Sequence, residues 1–386
     1  MNSRYVTPII SQYLYAKADR TNIPLGGTFE LTPTCNMNCK MCYVRKDMQD
    51  LQEPLLTVEE WLDIARQARE KGLLFLLLTG GEPFMRRDFK ELYLELHKMG
   101  FMLSINSNGT LITEKEVDWL KQAAPTRINI TVYGASDATY EKLCGNPNGY
   151  TQVMHAIRLL KEAGIQVKLN CSITPYNAQD LHEIKKMAVK EGLFLQTASY
   201  MYPPLRKGRA HIGKNHRFEP EQAAYYAALS QYYEFGSQAF LERLEQQKLE
   251  ENCTAEMPDE MKQAVEGREH IRCRAGVSSF WITWNGKMTP CGMMDKPETD
   301  VRGEGFAKAW KSTVEKARQI LMPAKCTNCT WKAKCVTCAA MVLAETGDYE
   351  KAPEYRCRMM ENYYVACGKV KKQILSGEIK EDIWHE

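Results

Sequence analysis

Six times between residues 27 and 200, a short apolar run stands beside an amphipathic, helix-forming stretch. That alternation is the pattern of parallel β/α units. In LTVEEWLDIARQAREKG, Thr57 reads as an N-cap with Glu60 three residues on, and Gly72 closes the helix. Strand LFLLLT follows, then helix RRDFKELYLELHKMG, strand FMLSIN, helix TEKEVDWLKQAA and strand RINITVYG. A helix near 151–164, strand QVKLNCSIT, helix LHEIKKMAVKEG and strand FLQTASY complete the series. With the strand before Cys35 the count is six units, too few for a closed eight-stranded barrel. Residues 205–270 read as a mostly helical bridge, and the charged run at 242–251 as a solvated helix face.

Fourteen cysteines in 386 residues pose the next question. The opening MNSRYVTPIISQYLYAKADR lacks a basic region followed by an apolar run, so no signal peptide is expected and the chain reads as cytoplasmic. Thiols in that compartment bind metal more often than they cross-link. LLFLLL, from Leu73, is too short to cross a bilayer, so no membrane partner is expected. The 51 basic and 48 acidic residues leave a net charge of +3, which gives no reason to expect nucleic acid.

Cys35, Cys39 and Cys42 lie in TPTCNMNCKMCYV. They supply three thiolates, one fewer than full protein ligation of a cubane [4Fe-4S] cluster, which leaves one iron open to a small molecule. Zinc usually takes four ligands in paired Cys-x2-Cys units, and nothing nearby completes such a set. The stretch closely resembles the signature of radical S-adenosylmethionine (SAM) enzymes. The resemblance implies that SAM chelates the open iron through its amino and carboxylate groups. It also implies that reductive cleavage of the sulfonium yields a 5′-deoxyadenosyl radical, the cofactor carrying the hard chemistry. Such enzymes have an open (β/α)6 barrel, which agrees with the six units counted here. The resemblance makes the three cysteines the catalytic set and implies an electron donor of flavodoxin or ferredoxin type.

The same resemblance places the SAM pocket. TGGEP, at 79–83, follows the second strand like the family's motif for the methionine amino group, which selects Gly80, Gly81 and Glu82. Glycines there let backbone approach a ligand closely, although a plain strand-to-helix turn would read the same way. Strand parity sends Ile128, Ile130 and Val132 outward, leaving Asn129 and Thr131 toward the lumen. Thr131 matches the family's SAM-contacting serine or threonine. Asn106, Asn108, Asn170 and Ser172 share the inward parity, while Cys171 reads as core. Two positions depart from the family pattern. Met41, followed by Tyr43, stands where an aromatic residue often lies near adenine. Cys144 stands where many relatives carry an arginine for the SAM carboxylate; it reads as filler or as a thiol at the barrel mouth.

A second cysteine set runs Cys273-x12-Gly286-x4-Cys291, then Cys326-x2-Cys329-x5-Cys335-x2-Cys338, then Cys357. Alone, its paired units could make a zinc ribbon. It resembles the SPASM extension of radical SAM enzymes, in which the last pair is often Cys-x3-Cys. The resemblance implies two auxiliary [4Fe-4S] clusters beside the catalytic one. Cys326, Cys329, Cys335 and Cys357 would enclose the outer cluster. Cys273, Cys291 and Cys338 would hold the inner one, with Cys253, water or a substrate thiolate on its fourth iron. The expected organisation is an N-terminal segment (1–26), a partial (β/α)6 barrel (27–204), the bridge (205–270), a SPASM domain (271–360) and a C-terminal helix (361–386).

SPASM proteins resemble one another in acting on peptides or proteins, often by thioether or carbon–carbon cross-linking. The implied activity is thus hydrogen abstraction from a peptide, with auxiliary clusters accepting an electron or binding substrate. Peptide epimerisation, maturation of a small metabolite or cofactor precursor, and electron transfer without SAM turnover are the alternatives. Sulfatase-maturating relatives have an aspartate directly after the second inner-cluster cysteine, where this chain has Gly292. Only 34 residues precede Cys35, too few for a leader-recognition domain, so a leader would need a separate partner or another surface. YMYPPLRKGR, at 200–209, reads equally as a peptide channel lined by Tyr200, Tyr202 and Arg206 or as a linker.

Overall fold

The computed structural model describes residues 9–253, 273–327, 329–332 and 334–379. Its frame is one sheet in which six strands run parallel: β1 (Gly26–Glu30), β2 (Phe75–Thr79), β3 (Met102–Ser107), β4 (Arg127–Thr131), β5 (Val167–Ser172) and β6 (Leu195–Ala198). They lie side by side in chain order, as consecutive β/α units commonly do. The partial (β/α)6 expectation is met.

The sheet does not stop at β1. From the cysteine-rich end, β7 (Ser279–Ile282) pairs parallel to β1, and β8 (Lys287–Thr289) and β9 (Thr299–Asp300) continue antiparallel. One nine-stranded sheet thus joins the barrel to the second cysteine set. An unpaired edge exposes backbone donors and acceptors, and β7 satisfies those of β1.

Helix α1 (Ile9–Thr21) precedes the sheet; α2 (Val58–Glu70), α3 (Phe89–Lys98), α4 (Glu114–Leu120), α5 (Asp137–Cys144), α6 (Gly149–Glu162) and α7 (Leu181–Lys190) connect its parallel strands. The Thr57–Glu60 capping box forms as expected, with reciprocal bonds of 2.8 and 3.2 Å. Ile128, Ile130, Val132 and Cys171 pack in the core with Val153, Ile157 and Leu160 of α6. Each large apolar side chain so buried contributes about 1.5–3 kcal/mol. Beyond the barrel, α8 (Pro220–Phe235) and α9 (Ser237–Cys253) form the described part of the bridge, and α10 (Val301–Glu304), α11 (Phe306–Arg318), α12 (Ala324–Thr327) and α13 (Ala339–Thr346) follow.

The last helix, α14, runs Glu354–Leu375 and packs on α8. The boundary expected at residue 361 therefore falls inside a helix. Pro353 fixes its start, so Cys357 sits on the first turn. Among the described residues no helix is long and apolar enough to cross a membrane.

Candidate active site

The carboxyl end of β1 leads into the loop that carries Cys35, Cys39 and Cys42, and two segments clamp that loop. On one side the GGEP turn accepts it: the Gly81 amide donates to the Thr32 carbonyl at 2.6 Å, and the Glu82 amide to that of Thr34 at 2.9 Å. A Cβ on Gly80 would lie 2.5 Å from the Thr32 oxygen, and one on Gly81 only 2.1 Å from the Thr34 oxygen. The close approach that demands glycine here is between two stretches of protein backbone. On the other side, the Asn38 and Lys40 amides donate to the carbonyls of Cys144 and Leu143 at 2.7 and 3.1 Å. The loop thereby satisfies carbonyls that the end of α5 would leave open.

Cys144 is fully buried beneath the loop, so the structure places it in the core and not at an open mouth. Its thiol beside Cys39 holds the Cys39 thiol below the ordinary range. Burial pushes the Cys35 thiol up to about 12. Metal binding would reverse that penalty, because a coordinating thiol is deprotonated outright.

Glu82 is fully buried, and its carboxylate is occupied. It accepts from the Phe84 amide at 3.2 Å, the Ser107 hydroxyl at 2.9 Å and the Asn108 amide at 2.7 Å. Burial dominates these bonds and raises its pKa to about 7. Glu82 therefore braces the GGEP turn against β3. Ser107 escaped the sequence reading because it has the helix-facing parity of Leu103 and Ile105.

Asn108 reaches the cysteine loop, with its Nδ2 2.9 Å from Asn36 Oδ1 and 3.6 Å from Cys35 Sγ. Asn106 instead accepts from Asn129 Nδ2 at 2.7 Å, deeper in the lumen. Thr131 and Asn170 are register partners on β4 and β5, half-buried, with Ser172 two residues further along. Met41 is buried in the main core, so its side chain is committed to packing. Tyr43 is half-buried; burial and neighbouring Glu30 push its hydroxyl pKa up.

A buried ion pair lies on the lumen side of this loop. Glu30, the last residue of β1, is fully buried and receives Arg206 at 2.5 and 2.6 Å and Trp281 Nε1 at 2.8 Å. Arg206 also reaches the Gly292 carbonyl at 3.4 Å. A Cβ on Gly292 would strike the Trp281 ring. Tyr200 donates to Glu345, and Tyr202 lies 3.7 Å from Cys338 Sγ. Residues 200–206 thus form a largely buried strut between barrel and cysteine-rich region, while 207–209 are exposed.

The second cysteine set divides in two. Cys273, Cys291 and Cys338 line one apolar cavity of about 360 Å³. Cys326, Cys329, Cys335 and Cys357 form the other group: after burial, the charges of the other three raise the Cys326 pKa, and those of Cys335 and Cys329 raise that of Cys357. The side chain of Cys253 lies outside the described residues. Among the described residues no three His, Cys, Asp or Glu side chains converge to hold a single metal ion. The donor chemistry of these all-thiol groups, the first arranged around a cavity, fits iron–sulfur clusters.

Residues 29–188 match the radical SAM superfamily model. The chain carries a radical SAM domain. The chain is similar to the AdoMet-dependent heme synthase of Methanosarcina barkeri, 24% identical over 352 residues, covering 87% of this chain and 97% of that protein. It is also similar to the sporulation killing factor maturation protein SkfB of Bacillus subtilis, 24% identical over 315 residues and 81% and 69% of the two chains. Its fold matches that of Streptococcus suis SuiB bound to its precursor peptide SuiA, with a TM-score of 0.63, 17% identity and coverage of 90% and 80%.

Proposed function

We propose that this enzyme is a SPASM-type oxidoreductase that abstracts hydrogen from a peptide or protein. The observation that carries this reading is the grouping of its thiols. Three stand on one loop at the carboxyl end of β1; of seven more, three line one cavity and four lie close together. In this reading Cys35, Cys39 and Cys42 would hold the catalytic cluster, and Gly80, Gly81, Asn108, Thr131, Asn170 and Ser172 would surround SAM. Cys273, Cys291 and Cys338 would hold the inner auxiliary cluster, and Cys326, Cys329, Cys335 and Cys357 the outer one. When bound, these groups supply a 5′-deoxyadenosyl radical and an acceptor for a second electron. The chain's own residues orient them: GGEP and the end of α5 pin the cysteine loop, while the Glu30–Arg206 pair holds the cysteine-rich region against the lumen.

Peptide substrates are supported by SkfB's description as a maturation protein and by the precursor peptide bound to SuiB. A second reading, maturation of a cofactor precursor, is favoured by heme synthases from three organisms at 24–26% identity. The deciding experiment incubates anaerobically reconstituted enzyme, SAM and dithionite with short peptides encoded beside its gene. One 5′-deoxyadenosine per product and a peptide two hydrogens lighter are expected. A mass-neutral peptide that takes deuterium from solvent would replace oxidation by epimerisation. Unmodified peptides with ongoing SAM cleavage would favour the precursor reading.

A further inference from the structure

A second cavity, of about 580 Å³, occupies the amino half of the barrel lumen and is lined by residues of β1, β2, β3, β4 and β7. It shares Cys273 and Cys291 with the smaller apolar cavity, so those two cysteines form a common wall. Its charges are one-sided. Arg127, the first residue of β4, and Arg274 line it, and among the described residues no aspartate or glutamate does. Arg274 lies 4.1 Å over the Tyr15 ring and makes a longer contact of 3.5 Å with Asp19, outside the lining.

The cavity also holds an unused acceptor. Asn129 is only 6% exposed and lines the lumen; its Nδ2 is given to Asn106, and its Oδ1 is buried without a hydrogen-bond partner. A buried polar atom left so is destabilising, and a donor on a bound molecule would remove that penalty. Arg127 and the half-exposed Arg274 favour an anion of planar, two-oxygen geometry, because a guanidinium pairs with a carboxylate through parallel hydrogen bonds. Burial first, and then the positive charge of Arg127, pull Lys168 on the next strand below its ordinary pKa.

We propose that this lumen cavity receives a carboxylate of the substrate, held by Arg127 with Arg274, while Asn129 Oδ1 accepts a neighbouring N–H beside the Cys273–Cys291 wall. This rests on the reading above that the enzyme abstracts hydrogen from a substrate; it places that substrate in the lumen and narrows it to a carboxylate-bearing one. The carboxylate belongs either to an acidic residue of a peptide or to a small free acid.

The test uses the full-length, cluster-loaded protein and calorimetric titration with two capped pentapeptides, Gly-Gly-Glu-Gly-Gly and its glutamine counterpart, and with glutarate. The glutamate peptide should bind about tenfold more tightly or better, a preference that shrinks as salt rises. Arg127→Gln and Arg274→Gln should each bring the two peptides toward equal affinity, while Arg127→Lys retains the charge and the preference. Cluster absorbance and thermal melting on the same samples report folding. Glutarate binding as well as the glutamate peptide identifies a free acid as sufficient; failure of glutarate where the peptide binds identifies an acidic peptide. Equal affinity for both peptides, binding of neither, or a preference that survives Arg127→Gln would overturn the proposal. SAM cleavage assayed without any carboxylate probe tests the radical SAM function separately.

Discussion

Arg206 grips Glu30 through both terminal nitrogens, and the two residues are separated by 176 positions in the chain. Glu30 ends β1 with no exposed surface, so its charge has no recourse to water. Arg206 neutralises it from the strut that follows β6, and Trp281 adds a third bond from β7. Arg206→Ala would strand a buried carboxylate. We expect a loss of about 3–5 kcal/mol in unfolding free energy, measured by urea denaturation. Arg206→Lys should recover only part, since a point charge cannot reproduce the paired geometry.

Gly81→Ala would place a methyl group 2.1 Å from the Thr34 oxygen, immediately before Cys35. The cysteine loop must move, so iron content at the catalytic site and SAM affinity should fall together. Iron analysis beside equilibrium SAM binding checks this. Loss of SAM affinity with iron retained would show that the glycine serves the ligand instead.

Glu82 sets a pH dependence. An unfolded carboxyl ionises near 4.5 and the folded one near 7, so between those values the folded state holds the extra proton. Stability is therefore greatest below the unfolded value and falls as pH rises through 7. The whole change is about 3 kcal/mol by linkage. Melts of the metal-free chain from pH 5 to 8 should show this decline, and Glu82→Gln should flatten it.

The thiol groups should lose iron as sets. Alanine at Cys35, Cys39 and Cys42 should abolish 5′-deoxyadenosine formation and remove about four irons, leaving the auxiliary absorbance. Removing Cys273, Cys291 and Cys338, or the other four, should each remove a similar amount. Zinc in place of iron in the wild-type chain, measured by metal analysis, would refute the SPASM assignment.

Much of this site was legible before any coordinates. Strand parity alone turned Asn129 inward and Ile128 outward, because side chains on a strand alternate and one face must be buried. Cys171 was read as core on the same ground. Ser107 shares the helix-facing parity of Leu103 and Ile105, so alternation alone does not show that its hydroxyl bonds Glu82. Glycine at GGEP was foreseen, but its stated reason was not: sequence shows that a backbone approach is needed, not which backbone approaches.

The sequence by itself determined the six parallel units, the capping box at Thr57 and the presence of two cysteine sets. These are local facts, written in periodicities and spacings within a few turns of chain. Only the tertiary structure decided that β7 extends the sheet beyond β1, that Arg206 neutralises Glu30, and that Cys273 and Cys291 form a wall between two cavities. Those pairings join residues far apart in the chain, and their stability comes from burying charge and backbone polar groups together. That burial exists only once the sheet has assembled around them.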